Sequence, residues 1–294
     1  MARSAGPRRE ARRAAADGDG LTNLRLTLAY DGTEFRGFQW QPAARSVAGV
    51  LECALSRLFS EGVKVTGAGR TDGGVHASGQ VVSLATARRF PFERLTLALN
   101  SVLPPDCSVR LAAIVESGFS ARFSASERTY VYAILNRAQP DALLARYAHH
   151  VSAQLDVGAM RAGAAWLIGR HDFRSFCASG AIEPTGSTVR TVRRLTIEPH
   201  GELVRVEVSA DGFLRHMVRT IVGTLLECGR GRRDPGELEA ILAGADRSIA
   251  GPTAPAHGLC LAGVRYRDGY DSFAEPPVFG GRSPFRLDAR RAFP

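Results

Sequence analysis

The stretch Gly67-Ala68-Gly69-Arg70-Thr71-Asp72-Gly73-Gly74-Val75-His76 joins a predicted strand near Val63 to Thr66 to another from Gln80 to Ala85. Its four glycines allow turn conformations closed to other residues and let a ligand approach the backbone. Loops between rigid strands are favoured places for chemistry, and this one holds one cation, one hydroxyl, one acid and one imidazole. Two phosphate-binding readings fail. A P-loop requires Gly-x-x-x-x-Gly-Lys-Ser/Thr, and no lysine is present here. A dinucleotide fingerprint requires a third glycine where Asp72 stands, and an anion there would repel pyrophosphate. No Gly-x-Ser-x-Gly elbow accompanies His76, so a Ser-His-Asp hydrolase is unsupported. Two readings stay open: a tight turn in which Asp72 caps backbone amides, or a catalytic loop built around that acid.

Outward from the loop, Leu24, Leu26 and Leu28 alternate with Arg25, Thr27 and Ala29, which predicts a half-buried strand ending in the turn Tyr30-Asp31-Gly32-Thr33. Ser46 is placed to cap a helix running to about Phe59, with Val50, Leu51, Ala54, Leu55 and Leu58 on its buried stripe. Pro91 opens a short helix ending near Asn100. Ser108 to Val115 and Arg128 to Leu135 read as strands, the latter with Tyr130 and Tyr132 on one face. Leu155 to Gly169 predicts a helix with Asp156 near its start. Arg190 to Ile197 and Leu203 to Ser209 alternate and are joined through Pro199-His200-Gly201 as a hairpin. Phe213 to Cys228 is the clearest helix, with Leu214, Met217, Val218, Ile221, Val222, Leu225 and Leu226 at three- and four-residue spacing and Gly229 as its stop. Asp234-Pro235 caps a short helix to about Leu242, and Gly258 to Tyr266 is a final strand. Residues 1–20 read as a disordered basic tail and 269–294 as a loose one. Neither half, 21–122 or 123–268, has the regular strand–helix alternation of a parallel sheet. That predicts an α+β fold of two similar halves, forming a mostly antiparallel sheet flanked by helices.

The chain has 294 residues, 45% hydrophobic and 23% charged, enough to bury a core without a staple. Its five cysteines, Cys53, Cys107, Cys177, Cys228 and Cys260, form no close pair, which disfavours zinc and redox motifs and predicts reduced, buried thiols. The N-terminus has charges without a following apolar core, and no apolar run approaches the ~20 residues of a membrane span, so the expected location is the cytoplasm. The net charge is +9, part of it in the two tails. A basic body suits a polyanionic partner without requiring one.

Six motifs in order identify a resemblance. Gly69-Arg70-Thr71-Asp72-x-Gly74-Val75-His76 resembles the active-site signature of the TruA family of tRNA pseudouridine synthases, and Tyr30-Asp31-Gly32-Thr33-x-Phe35-x-Gly37-Phe38-Gln39-x-Gln41 precedes it at the right distance. Ala121-Arg122-Phe123-Ser124-Ala125 running to Arg128-x-Tyr130-x-Tyr132, Asp172-Phe173-x-Ser175-Phe176, Phe213-Leu-Arg-His-Met-Val-Arg-x-Ile-Val-Gly223 and Gly258-Leu259-x-Leu261 follow in family order. The departures are Gly73 where an alanine is common and Phe38 where a tryptophan is usual.

The resemblance implies the pseudouridine synthase fold and an isomerisation that needs neither cofactor nor metal. Asp72 would be the catalytic carboxylate at the ribose, attacking C1′ or removing a C2′ proton, and neighbouring Arg70 would favour its charge. Tyr130 would stack on the extruded uracil and relay a proton at C5; Tyr132 shares its face and differs only in family spacing. Arg219 would pair with Asp72, Leu259 would wall the uracil pocket, and Arg215 and His216 would face RNA or solvent. The implied substrate is the tRNA anticodon arm at uridines 38 to 40, with base flipping, and the implied assembly is a symmetric homodimer.

Overall fold

The computed structural model describes residues 20–178, 186–267 and Ser272. The two predicted tails lie outside the described residues, apart from Gly20 and Ser272. The described residues form a ten-stranded sheet. β1 (Thr22–Tyr30), β3 (His76–Thr86) and β4 (Cys107–Val115) make one flank. β5 (Ala125–Asn136), β7 (Gly169–Asp172), β8 (Val189–His200) and β9 (Leu203–Ala210) make the other. The last strand, β10 (Leu259–Tyr266), is inserted between them, giving the order β4-β1-β3-β10-β5-β9-β8-β7. Short strands β2 (Thr66–Gly67) and β6 (His149–Val151) pair with β3 and β5. The sheet is mostly antiparallel, as predicted; β10 with β3 and β6 with β5 are the parallel pairings.

Five α-helices among the described residues accompany it: α1 (Val47–Phe59), α2 (Leu95–Asn100), α3 (Val157–Trp166), α4 (Met217–Gly229) and α5 (Glu237–Gly244). Two of their starts carry side-chain caps, Ser46 as the sequence predicts. Ser46 Oγ accepts the Gly49 amide at 3.2 Å, and Asp156 Oδ1 accepts the Ala159 amide at 2.9 Å, each satisfying a donor that the first turn leaves free. The main core lies where Leu24, Leu26 and Leu28 of β1 and Tyr132 and Ile134 of β5 meet the apolar stripes of α1 and α4. A smaller cluster of Val131, Ala133, Leu135, Cys260 and Ala262 occupies the opposite face. No described helix is long and apolar enough to cross a membrane.

Several expectations need correction. Arg25 and Thr27, read as the wet face of β1, are 4% and 3% exposed. The Arg25 guanidinium lies 5.8 Å over the Tyr266 ring, so an aromatic face on that side takes the cation. Cys53 is exposed, whereas the other four thiols are buried and all five are free. The helix predicted from Phe213 begins at Met217, because His216 adopts a left-handed backbone, φ 64°. Nor does Gly229 stop that helix. It is its last residue, packed so that a Cβ would stand 2.8 Å from Met160 Cγ, and Gly231 takes the left-handed turn beyond it, φ 66°.

Candidate active site

The loop between β2 and β3 is fastened at nearly every residue. Arg128, on β5, donates from Nε and Nη2 to Ala68 O at 3.1 and 3.0 Å. Gln80 Nε2 donates to Gly69 O at 2.8 Å, and the Phe38 amide donates to Thr71 O at 3.0 Å. Tyr30 and Thr71 share a hydroxyl hydrogen bond of 2.9 Å, and the Val75 amide donates to Asp72 O at 3.1 Å. Gly37, φ 104°, lets the preceding segment lie this close, since a Cβ there would be 2.9 Å from Thr71 O. Phe38 covers Gly67, where a Cβ would be 2.5 Å from the ring.

With its backbone held, Asp72 turns its carboxylate into a cavity of about 820 Å³, a size that accepts a nucleoside. Arg219 Nη1 donates to Asp72 Oδ2 at 3.1 Å, and His216 Nε2 lies 3.5 Å from the same oxygen. No backbone amide among the described residues donates to this carboxylate, so the amide-capping alternative does not describe the side chain. Arg219 is itself aimed: its Nε donates to Ala254 O at 2.8 Å while its carbonyl accepts the Ala254 amide at 3.0 Å. The close approach behind those bonds depends on Gly223, whose Cβ would stand 1.7 Å from Pro252 O. Burial lowers the His216 pKa against the opposing pull of Asp72, and Arg219 and Arg215 lower it further.

The structure separates the two tyrosines of β5. Tyr130 lines the cavity, edge-on to Phe213 at 5.2 Å between ring centroids, and burial with the nearby Asp72 charge raises its pKa, keeping the hydroxyl protonated. Tyr132 is fully buried beside Gly258 and donates to Pro255 O at 2.9 Å, away from the cavity. Leu259, opposite Tyr132 in the β10–β5 register, is a buried wall of the cavity. Arg70 stands exposed on the rim with no ion pair to Asp72, so the cation on the acid is Arg219. Arg215 also lines the cavity, and His216, expected to face RNA or solvent, faces Asp72. Sequence spacing gives no sign that Arg128 clamps the loop, because the loop carbonyl it holds, Ala68 O, lies 60 residues away in the chain. Among the described residues no cluster of three or more His, Cys, Asp or Glu side chains could hold a metal ion.

A sequence model of the tRNA pseudouridine synthase family matches residues 27–124 and 164–267. The tRNA pseudouridine synthase A of Moorella thermoacetica is 49% identical over 245 residues, covering 83% of this chain and 99% of that protein. The enzyme of the same name from Brevibacillus brevis is 46% identical over 246 residues, covering 84% and 100%. That from Halalkalibacterium halodurans is 45% identical over 240 residues, covering 81% and 90%. The chain belongs to the TruA family of tRNA pseudouridine synthases. The two stretches matched to the family contain Arg70 and Asp72 in the first and Arg219 and Leu259 in the second. Tyr130 falls between them, so its place beside the others comes from the β10–β5 pairing, in which it lies opposite Leu261.

Behind the TruA-family loop, His76 Nδ1 receives the Gly32 amide at 2.9 Å and lies 3.2 Å from Asp31 Oδ1. Burial pushes the Asp31 carboxyl up, but contacts with His76, Thr33 and Tyr147 outweigh it and hold the pKa well below the usual carboxylate range. A group depressed on folding adds stability above its unfolded pKa, about 3.9 for aspartate, and that stability is lost as pH falls through the folded value. Asp31→Asn is therefore expected to lower Tm at pH 7 by several degrees. The gap from wild type should narrow as the pH is taken down from about 4. A gap independent of pH in thermal melts would remove this role.

Proposed function

We propose that this chain converts uridine to pseudouridine at positions 38 to 40 of the tRNA anticodon arm, in the cytoplasm and as a symmetric homodimer. The observation that carries the reading is the Asp72 carboxylate, held by Arg219 at 3.1 Å in a cavity walled by Tyr130 and Leu259. The reaction breaks the bond from ribose C1′ to uracil N1, turns the base and joins C1′ to C5. The C5 proton leaves and N1 gains one, so substrate and product are isomers and no cofactor is consumed. Asp72 acts at the sugar, either by attacking C1′ or by taking a C2′ proton. Tyr130 stacks on the released uracil, and its hydroxyl relays the C5 proton, passing on its own proton as it takes the new one. A paired uridine must first leave its stack. Arg70, Arg122, Arg190 and Arg215 around the cavity supply the positive surface for the RNA backbone.

The test is to map pseudouridine in tRNA from a strain lacking the gene. Loss confined to positions 38 to 40, restored by the wild-type gene and not by an Asp72→Ala copy, is the expected result. Loss at other tRNA positions, or in another RNA, would replace the anticodon-arm assignment while keeping the chemistry.

A further inference from the structure

The mouth of the cavity carries two large aromatic side chains that the chemistry at Asp72 does not use. Phe123 is 81% exposed and Trp40 52% exposed, and both line the cavity that holds Asp72. Leaving a phenyl and an indole in water forgoes the burial that rings of this size ordinarily gain. Each ring is also accompanied by a cation. Lys64 Nζ lies 5.4 Å from the Trp40 ring centroid, and Arg122 Cζ lies 5.3 Å from that of Phe123.

The backbone that carries Phe123 is pinned, and Trp40 is seated on a helix. The Phe123 amide donates to Ser120 Oγ, and the Ser120 and Ser124 amides donate to Ser124 Oγ and Ser120 O, closing a tight turn. Arg128 Nη2 donates to Arg122 O at 2.6 Å as well as to Ala68 O, so one guanidinium ties this turn to the Asp72 loop. Trp40 packs on Gly49 in α1, where an added Cβ would be 3.2 Å from the indole Cδ1. Glu52, in the same helix, receives Lys64 Nζ at 3.0 Å and the Val65 amide at 3.1 Å, which places the cation beside the indole. Aromatic faces with neighbouring cations, on the rim of a basic cavity, match flat rings carried on an anionic backbone. Unpaired nucleobases have that chemistry.

We propose that Trp40 and Phe123 are stacking platforms for unpaired bases of the bound RNA, adjacent to the nucleotide that enters the cavity. The proposal rests on the tRNA reading above and accounts for how the strand is held open. Extruding a uridine takes stacking away from its neighbours, and the ring faces at the rim replace it.

The experiment measures binding of an end-labelled RNA hairpin of anticodon-arm sequence by fluorescence anisotropy, alongside tritium release from full-length tRNA carrying [5-³H]uridine. Phe123→Ala and Trp40→Ala are each expected to raise Kd by about 5- to 100-fold. Phe123→Trp should restore binding, while Phe123→Leu, which keeps apolar bulk without a π face, should not. Hairpins with a single abasic nucleotide give a second readout: at the stacked position, losing the base weakens binding by wild type but not by the matching alanine variant. Wild-type affinity in both alanine variants, restoration by leucine, or the absence of any such abasic position would overturn the proposal, as would failure of wild type to bind the hairpin. Failure of the proposed activity has a different outcome: the stacking pattern would be present and wild type would release no tritium.

Discussion

Replacing Asp72 by alanine is expected to abolish isomerisation, by at least about 10⁴-fold, while tRNA binding is kept or strengthened. Among the described residues three acids line the cavity, and two of them are engaged by the fold. Glu52 receives Lys64 and the Val65 amide, and Asp211 receives the Thr191 amide at 3.0 Å. Asp72 spends its carboxylate on no backbone group; its partners, Arg219 and His216, are themselves cavity side chains. Removing this anion makes a basic cavity more positive, which does not weaken association with a polyanion. Asp72→Asn, which keeps shape and one acceptor oxygen but no charge, is expected to be equally inactive. Turnover within tenfold of wild type in either variant, measured by tritium release, would take Asp72 out of the chemistry.

The second large effect is expected at Arg219. This side chain spans two tasks, anchoring on Ala254 O through Nε and meeting Asp72 Oδ2 through Nη1. Arg219→Met leaves the Asp72 carboxylate without its cation. Asp72 is then no longer held or neutralised from that side, so kcat is expected to fall by about 100-fold or more. Arg219→Lys should recover little, because one ammonium cannot occupy both positions of the guanidinium fork. The KM for tRNA is expected to change far less than kcat in both variants. Steady-state kinetics with full-length tRNA checks this, and a loss confined to KM would recast Arg219 as an RNA-backbone contact.

Much of the architecture follows from periodicity. The alternation of Leu24, Leu26 and Leu28 and the three- and four-residue spacing from Met217 to Leu226 each placed an element and its inner face correctly. What periodicity does not report is whether the opposite face is also covered, which is why Arg25 and Thr27 read as exposed. Local chemistry was equally uneven. Ser46 bonds within its own first turn, so sequence reveals it as a cap, and Asp156, read only as lying near a helix start, proves to be one too. Gly229 looked like a helix stop, yet its lack of a side chain serves packing against Met160, a contact set by α3.

The site divides in the same way. Asp72 stood out because glycines surround it, and Arg219, Tyr130 and Leu259 came from the family motifs. Tyr130 and Tyr132 share a strand face, so only the three-dimensional position of the cavity separates them. The left-handed backbone at His216 swings an imidazole toward Asp72 from a position that a regular helix would have turned elsewhere. Arg70 lies two residues from Asp72 in sequence yet makes no ion pair with it, because this loop lacks the strand alternation that puts residues two apart on one face.

The most direct measurement is tritium release by the purified wild-type chain from unmodified tRNA labelled as [5-³H]uridine, with no cofactor added. Joining C1′ to C5 expels the hydrogen at C5, so one tritium should appear in water for each pseudouridine formed, with the RNA mass otherwise conserved. RNA that is bound, by gel shift, yet releases no tritium would contradict the account and leave an RNA-binding protein that kept the fold without the reaction.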